Sequence, residues 1–122
     1  MMDSEIDHAL KSDSLIDITT IGRKTGKPQK IEIVFHNFDG LLYISGRPGK
    51  RDWYANLVAK PQFTFHLKQS TQADIPAMAF PITDDAARQQ VMAKVVEKWN
   101  QQEKLEAFVQ SSPLVEVRLE RM

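Results

Sequence analysis

The sequence predicts an α+β fold that is mainly β: a small antiparallel barrel, closed or half-open, of about six strands with capping helices. Three observations favour this fold. Segments with the period-two alternation of strands dominate the chain. An Asp39-Gly40 pair marks a tight hairpin between two of them. The predicted order, β-β-β-α-β-β-α-α-β, places a three-stranded meander before mixed strands and helices.

The three strands of the meander occupy the amino-terminal half of the chain. Apolar and polar residues alternate over 14–22 and again over 30–37, and the Asp39-Gly40 turn leads into a third strand at 41–46. In a meander the first and third strands flank the second and run parallel to each other. The loops that follow residues 22 and 45 are therefore expected at the same end of the sheet.

A short helix and two extended segments come next. Residues 51–60 lack strand alternation and are followed by Pro61, as helix ends often are. The alternation over 62–68 predicts a strand, and its buried face consists of Phe63, Phe65 and Leu67. The segment 73–83 is extended, and its two prolines indicate an edge strand or a bulge.

Two helices and one strand are predicted in the last third of the chain. Thr83 is the expected cap of a helix whose apolar stripe includes Val91 and Val95. A shorter helical turn at 102–109 follows, and the alternation over 114–120 predicts the final strand.

Composition limits the class of protein. The 122 residues are expected to form one domain, 1–122, with 42% apolar and 26% charged residues, as in soluble globular proteins. The sequence has no cysteine, no apolar stretch of membrane-spanning length and no secretory signal at its acidic start. We therefore expect a cytoplasmic protein without a membrane span.

The histidines lack metal-ligand spacing, so no metal site is expected, and His36 and His66 are interpreted as surface or barrel-rim residues.

Positive charge is concentrated in one quarter of a neutral chain. Residues 1–22 have a net charge of −4, residues 23–51 carry seven cations against two carboxylates, a net of +5, and the remaining 71 residues have −1. Nucleic-acid-binding domains are usually basic as a whole, whereas a local concentration of cations suits a small anionic ligand. The charge pattern therefore predicts an anionic small molecule, and no nucleic acid, as the partner.

The first basic loop, GRKTGKP, follows the first predicted strand. It does not fit a nucleotide-binding P-loop, because Ile21 stands where that motif requires glycine and Pro28 stands where it requires Ser or Thr. Its glycines and the cations Arg23 and Lys24 instead fit a turn that holds a phosphate or carboxylate through backbone N–H groups and charged side chains. The alternative interpretation is a solvent-exposed hairpin tip.

The second basic loop, SGRPGKRDW, runs from the end of the third strand into the first predicted helix. It carries Arg47, Lys50 and Arg51 close to the helix N-terminus, which is itself a weak anion site. Because both basic loops are expected at the same end of the meander, they form two halves of one predicted anion clamp.

Aromatic and amide side chains follow the second basic loop. Trp53 is interpreted as packing on the barrel with one edge free for a ligand, and the role of Tyr54 is open between packing and ligand contact. Asn56 is either helix surface or a hydrogen-bond partner of the loop that carries Arg47. No Ser/His/Asp arrangement is recognisable, so the sequence assigns no catalytic residue.

Together, TTIGRKTGKP and SGRPGKRDWYANLVAKP resemble the deazaflavin-dependent nitroreductase family, small split β-barrels related to the FMN-binding pyridoxamine-phosphate-oxidase-like proteins. The resemblance covers roughly residues 15–68. It implies that the phosphate-bearing tail of coenzyme F-420 is held by Arg23, Lys24 and the backbone around Thr25 and Gly26.

The same resemblance implies that reduced deazaflavin passes hydride to a quinone or nitro compound while the protein binds and orients the ring. The residues implied beside the ring are Ser45, Gly46, Arg47 and Trp53. With Arg51 from the second basic loop they complete the predicted cofactor-binding set. Gln29 stands where the family usually has arginine, and the family's C-terminal tyrosines are absent.

Three alternatives to an F-420-dependent oxidoreductase stay open at this point. The same type of barrel is compatible with FMN as the cofactor, or with flavin or haem binding without turnover. A small barrel could also bind nucleic acid through the basic loops, which requires aromatic residues exposed along the strands. A homodimer is a further expectation, since many split barrels bury one face in a twin subunit.

Overall fold

The computed structural model describes residues 2–120, which form six strands and four α-helices. The strands are β1 Leu15–Ile21, β2 Pro28–Phe38, β3 Leu41–Ser45, β4 Gln62–Leu67, β5 Ala73–Pro81 and β6 Leu114–Leu119. The helices are α1 Met2–Ser12, α2 Asp52–Ala59, α3 Asp85–Lys98 and α4 Leu105–Ser111, with a turn of 3-10 helix, Gln102–Lys104, before α4. None of the helices described is long and apolar enough to cross a membrane.

The six strands close into an antiparallel barrel in the order β1-β2-β3-β6-β5-β4. The closing pair joins β1 to β4, with Ile16 opposite Leu67 and Ile18 opposite Phe65. Alternate residues of these strands point inward, as the sequence alternation predicts. The predicted barrel and its meander β1-β2-β3 are confirmed.

The prolines of β5 do not mark an edge strand. β5 pairs with β4 on one side and with β6 on the other, so the edge-strand alternative is wrong, and its register against β4 is continuous, without a bulge. Pro76 lies opposite Thr64 in the β4 register, and Pro81 is the last residue of its strand. A closed barrel has no edge strand to protect, so a proline in this barrel carries no information about an edge.

Two hydrophobic clusters hold the elements together. The first fills the barrel and includes residues of α1 and α2, among them Leu10, Trp53 and Leu57. The second lies between β3, α3 and α4 and is built around Met92 and Phe108. The three residues predicted inside β4 are all buried, so β4 exposes no row of aromatic rings on which bases could stack.

The helix α1 was not among the elements predicted from the sequence. Its residues Ile6, Ala9 and Leu10 are buried, and their spacing of three and four places them on one helix face. Asn37 of β2 donates a hydrogen bond of 2.9 Å from Nδ2 to the carbonyl oxygen of Leu10 and so ties the helix end to the barrel.

The start of α3 also differs from the prediction. Asp84, not Thr83, is the N-cap, and its Oδ2 accepts a hydrogen bond of 2.9 Å from the Ala87 N–H. The sequence offers several adjacent residues that suit this position, and the capping hydrogen bond distinguishes them.

We predict that the barrel interior carries most of the stability. Replacing the fully buried Phe65, whose ring meets Phe35 edge-on at 5.4 Å between centroids, by alanine is expected to lower the free energy of unfolding by about 3–5 kcal/mol. Leu41→Ala is the control, since Leu41 is 52% exposed and its loss is expected to stay within about 0.5 kcal/mol. Urea unfolding measures both. Equal losses in the two variants would contradict the described core.

Candidate functional site

The loop between β1 and β2 is a tight hairpin built on two glycines. The Gly22 N–H donates to the Lys27 carbonyl at 2.9 Å, and the Gly26 N–H donates to the Gly22 carbonyl at 2.8 Å. A Cβ at Gly22 would lie 2.6 Å from Thr25 Oγ1, and Gly26 has a φ of 72°. The Lys27 N–H donates to Thr25 Oγ1 at 3.2 Å. The sequence led us to expect backbone N–H groups of this loop to bind an anion. In the structure, these three donate hydrogen bonds within the loop instead.

Asn56 of α2 fixes this hairpin against the helix. Its buried Oδ1 accepts from the backbone N–H of Arg23 at 3.1 Å and from Nη1 of the same residue at 2.9 Å. Its Nδ2 donates to Thr20 Oγ1 at 3.2 Å and to Gln29 Oε1 at 3.1 Å. Asn56 therefore bonds the first basic loop, and neither interpretation made from the sequence, helix surface or contact with the Arg47 loop, is right.

A small cavity, here called the hairpin cavity, lies between this loop and α2. Its volume is about 220 Å³, and Arg23, Lys24, Thr25, Gln29, Asp52 and Asn56 line it. Nη2 of Arg23 lies 3.4 Å from Oδ1 of Asp52, whose side chain is 87% exposed. Such an exposed ion pair is weak, so a more strongly charged anion is able to compete for the guanidinium. The hairpin cavity can take an anionic group but not a whole drug-sized ligand, for which about 300 Å³ or more is usual.

The second basic loop folds back on itself. Arg51 donates from Nη2 to the Arg47 carbonyl and from Nη1 to the Lys50 carbonyl, both at 3.1 Å. The Gly49 N–H donates to the Ser111 carbonyl at 3.0 Å, which joins the loop to the end of α4. The conformation of this loop is therefore held by its contact with the end of α4 and by the hydrogen bonds of Arg51.

A larger cavity, here called the α3 cavity, opens beside this loop. It has a volume of about 660 Å³, and its lining includes Lys50, Arg51 and Tyr54. It shares no lining residue with the hairpin cavity, and Arg47 lines neither. Asp52 and Asn56 share one face of α2, whereas Arg51 and Tyr54 fall on another. The structure thus presents two cation-lined cavities around the start of α2 instead of the single groove that the clamp hypothesis expects.

His36 is fully buried, so the prediction of a surface or rim position is wrong. Its ring stacks on Phe38 at 5.4 Å and meets Trp99 at 5.2 Å between centroids. Nε2 lies 3.3 Å from Ser45 Oγ, and Nδ1 lies 3.3 Å from Lys98 Nζ. Burial, assisted by the Lys98 charge, lowers the pKa of His36 from 6.5 to about 4. The ring is therefore neutral near pH 7, with Nδ1 accepting from the ammonium and Nε2–H facing Ser45.

His66 has a carboxylate partner that the sequence analysis did not find. Its Nδ1 lies 2.7 Å from Oδ1 of the exposed Asp74, and its Nε2 lies 2.7 Å from Thr19 Oγ1. The three residues come from neighbouring strands of the barrel, β5, β4 and β1. Among residues 2–120, no group of three or more His, Asp or Glu side chains is placed to hold a metal ion.

Comparison with known proteins identifies the family. A model of the F420H(2)-dependent quinone reductases matches residues 1–120. The chain belongs to this family. The resemblance found in the two basic loops is thereby confirmed. No curated protein sequence gives a significant match.

Solved structures share the fold of this quinone reductase family member at low sequence identity. A protein described as a pyridoxamine 5'-phosphate oxidase from Listeria innocua has 13% identity and a TM-score of 0.74, over 99% of this chain and 95% of its own. A conserved hypothetical protein from Mycobacterium tuberculosis has 19% identity and a TM-score of 0.75, over 99% and 82%. The haem storage protein HutZ from Vibrio cholerae has 18% identity and a TM-score of 0.70, over 98% and 91%. At these identities the likeness shows the fold alone.

The predicted site residues of this family member are distributed over several environments. Arg23, Lys24 and Thr25 line the hairpin cavity, and Arg51 lines the α3 cavity. Ser45 and Trp53 are buried. The packing interpretation of Trp53 is thus confirmed, and the ring beside the α3 cavity is that of Tyr54.

Two residues that line the α3 cavity, Arg88 and Ser112, were not predicted as site residues from the sequence. The position of Arg88 had a detectable signal, because it precedes Val91 and Val95 by three and seven residues and so shares their buried helix face. Ser112 had no such signal, since a serine before a proline suits any loop.

We predict that Asn56→Ala loosens the hairpin from α2. The variant leaves the Arg23 N–H and the Thr20 hydroxyl without their amide partner, and we expect unfolding free energy to fall by about 2–3 kcal/mol. Val58→Ala is the control on the same helix, because Val58 is 56% exposed. Denaturant titration distinguishes the two. A loss no larger than that of the control would show that the four hydrogen bonds contribute little.

We also predict a pH dependence of stability that originates at His36. The pKa of His36 is about 4 in the folded protein, against an ordinary value of 6.5 that applies to the unfolded chain. As the pH falls from 6.5 to 4, the unfolded chain therefore takes up the proton first. The stability associated with the neutral ring is complete above pH 6.5 and is lost by up to about 1.4 kcal/mol per pH unit below it.

The comparison is between the wild type and His36→Gln, with His8→Gln as the exposed-histidine control. Unfolding free energies at pH 7 and pH 5 are expected to differ less in His36→Gln than in the wild type and the control. If all three proteins lose the same stability, His36 does not titrate as its burial requires.

Proposed function

We propose that the protein is an oxidoreductase that binds the deazaflavin coenzyme F-420 and passes hydride from its reduced form to a quinone- or nitro-type small molecule. The observation that carries this proposal is the hairpin cavity, in which Arg23 is held in position by the buried Asn56 and Lys24 stands beside it. Membership of the F420H(2)-dependent quinone reductase family supports the same assignment.

The hairpin cavity fits an anionic group of the cofactor tail. The guanidinium of Arg23 is oriented by Asn56, so little side-chain entropy is lost when an anion binds. Its ion-pair partner Asp52 is exposed, and one contact of 3.4 Å joins the two side chains. A phosphate would replace Asp52 in this contact. Lys24 forms no ion pair among the described residues and adds a second cation.

The remaining residues of the proposed site orient the ring. Ser45, Gly46 and Arg47 lead from β3 toward α2, and the contacts of Arg51 hold their loop in one conformation. When bound, the coenzyme supplies the hydride chemistry, so the chain needs no nucleophile of its own. In this proposal the protein binds the tail, orients the ring and limits water around it.

FMN is the second candidate cofactor, because it too carries a phosphate group that the hairpin cavity fits. A structural neighbour is described as an FAD-binding protein from Mesorhizobium loti, with 15% identity and a TM-score of 0.69 over 97% of this chain. That likeness shows a shared barrel, and the choice between the two rings requires a binding experiment.

We further propose that the protein acts in the cytoplasm as a homodimer. A structural neighbour with 15% identity and a TM-score of 0.63 is described as a domain-swapped dimer, which supports association through this fold. Light scattering of the purified protein tests the dimer, and a monomer mass would exclude it.

Absorbance titrations with coenzyme F-420 and, separately, FMN test the cofactor. We predict saturable binding of coenzyme F-420 and at least about tenfold weaker binding by the double variant Arg23→Ala/Lys24→Ala, since two charge-assisted contacts are lost. Lys94→Ala/Lys104→Ala removes the same charge from exposed positions outside both cavities and is the control. Thermal melting confirms that each variant folds. Unchanged binding by the first variant would exclude the hairpin cavity, and saturation by FMN alone would assign the second candidate.

A further inference from the structure

The α3 cavity contains more positive charge than its own carboxylate neutralises. Lys50, Arg51 and Arg88 line it, and Asp85 is the acidic residue among its lining. At about 660 Å³ it lies within the range of cavities that hold small organic ligands. A cavity with two excess cations favours an anionic ligand over a neutral one of the same shape.

Arg88 supplies a buried charge to this cavity. The residue is 8% exposed, and its guanidinium donates to the carbonyl oxygens of Ser112 at 2.6 Å, Val109 at 2.7 Å and Ile82 at 2.8 Å. It forms no ion pair with a carboxylate within the described part of the chain. Because arginine keeps its proton in proteins, these dipolar contacts leave a full positive charge beneath the cavity.

Ser112 supplies a polar atom without a protein partner. The residue is 4% exposed and lines the cavity, and its Oγ has no hydrogen bond in the structure of residues 2–120. A buried hydroxyl left unpaired costs about 1–3 kcal/mol. Rotation of this buried side chain toward the cavity would bring the hydroxyl within reach of a ligand's oxygen, which would complete its hydrogen bonding.

Tyr54 gives the cavity an aromatic wall. Its ring is partly buried against the barrel core and meets Trp53 edge-on at 6.1 Å between centroids. This contact and the barrel core pack against the ring from the side opposite to solvent. An aromatic wall with cations nearby matches a ligand that combines a flat ring with an acidic group.

We propose that the α3 cavity binds the hydride acceptor and selects ring acceptors that carry a carboxylate, a quinone carboxylate being the chemical class. This inference rests on the proposed function. In the step, the quinone gains two electrons and one proton as hydride from the reduced coenzyme and a second proton from water, giving the hydroquinone and the oxidised coenzyme. The carboxylate takes no part in the reaction and is bound by the cations.

The test compares anthraquinone-2-carboxylate with anthraquinone-2-carboxamide, which differ in charge but hardly in shape. Calorimetric titration of the protein without cofactor is expected to give at least tenfold tighter binding of the carboxylate. Lys50→Gln and Ser112→Ala are expected to reduce that preference without lowering the melting temperature. Lys94→Gln, outside the cavity, is expected to leave it unchanged. Equal binding of the two probes, or a preference that survives in Lys50→Gln, overturns the inference.

Two further arms locate the ligand and separate this inference from the proposed function. Lys24→Gln is expected to leave carboxylate binding unchanged, and a loss equal to that in Lys50→Gln would place the probe in the hairpin cavity and overturn the inference. If the carboxylate binds selectively but coenzyme F-420 does not bind, the proposed function fails while the ligand selectivity of the cavity stands. If coenzyme F-420 binds and both probes are reduced with equal kcat/KM, the inference alone fails.

Discussion

The buried amide of Asn56 is the contact on which the arrangement of the site depends. Its oxygen accepts from the backbone and the guanidinium of Arg23, and its nitrogen donates to side chains at the adjoining ends of β1 and β2. The helix that carries it packs into the barrel through Trp53 and Leu57. This side chain thereby joins the barrel core to the basic hairpin, whose own turn is closed by hydrogen bonds between Gly22, Gly26 and Lys27.

Arg88 has a comparable role in the part of the molecule formed by α3 and α4. Its guanidinium binds carbonyl groups at the end of β5 and around the end of α4, where a chain leaving a helix has unpaired oxygens. The arginine therefore satisfies the backbone and places a charge under the α3 cavity at the same time. Because α2 lies between the two cavities, the molecule keeps two cation-lined sites close together without joining them into one.

Much of the barrel was predictable, because its residues obey local rules. Alternation identified the strands, and Asp39 and Gly40 both have positive φ values, 56° and 90°, as the hairpin they predicted requires. The helix α1 was missed although Ile6, Ala9 and Leu10 have helical spacing, since acidic residues around them gave the segment a polar average composition.

The site was predictable in its charges but not in its geometry. Sequence order brought the two basic loops to one end of the meander, yet only the structure shows α2 between their cavities. The role of Asn56 depends on partners at least 27 residues away in the chain. The role of His36 depends on burial by a later helix, as its contact with Lys98 illustrates. Spacing rules describe neighbours within one element and contain no information about such contacts.

The central claim is that the hairpin held by Asn56 receives the anionic tail of the cofactor. Hydrogen exchange of the backbone amides, measured with and without coenzyme F-420, tests it most directly. If the hairpin binds the tail, exchange slows in residues 22–27 and 46–51 when the coenzyme is bound, and the β5 amides are unchanged. Binding that slows exchange elsewhere and leaves residues 22–27 as in the free protein would contradict it.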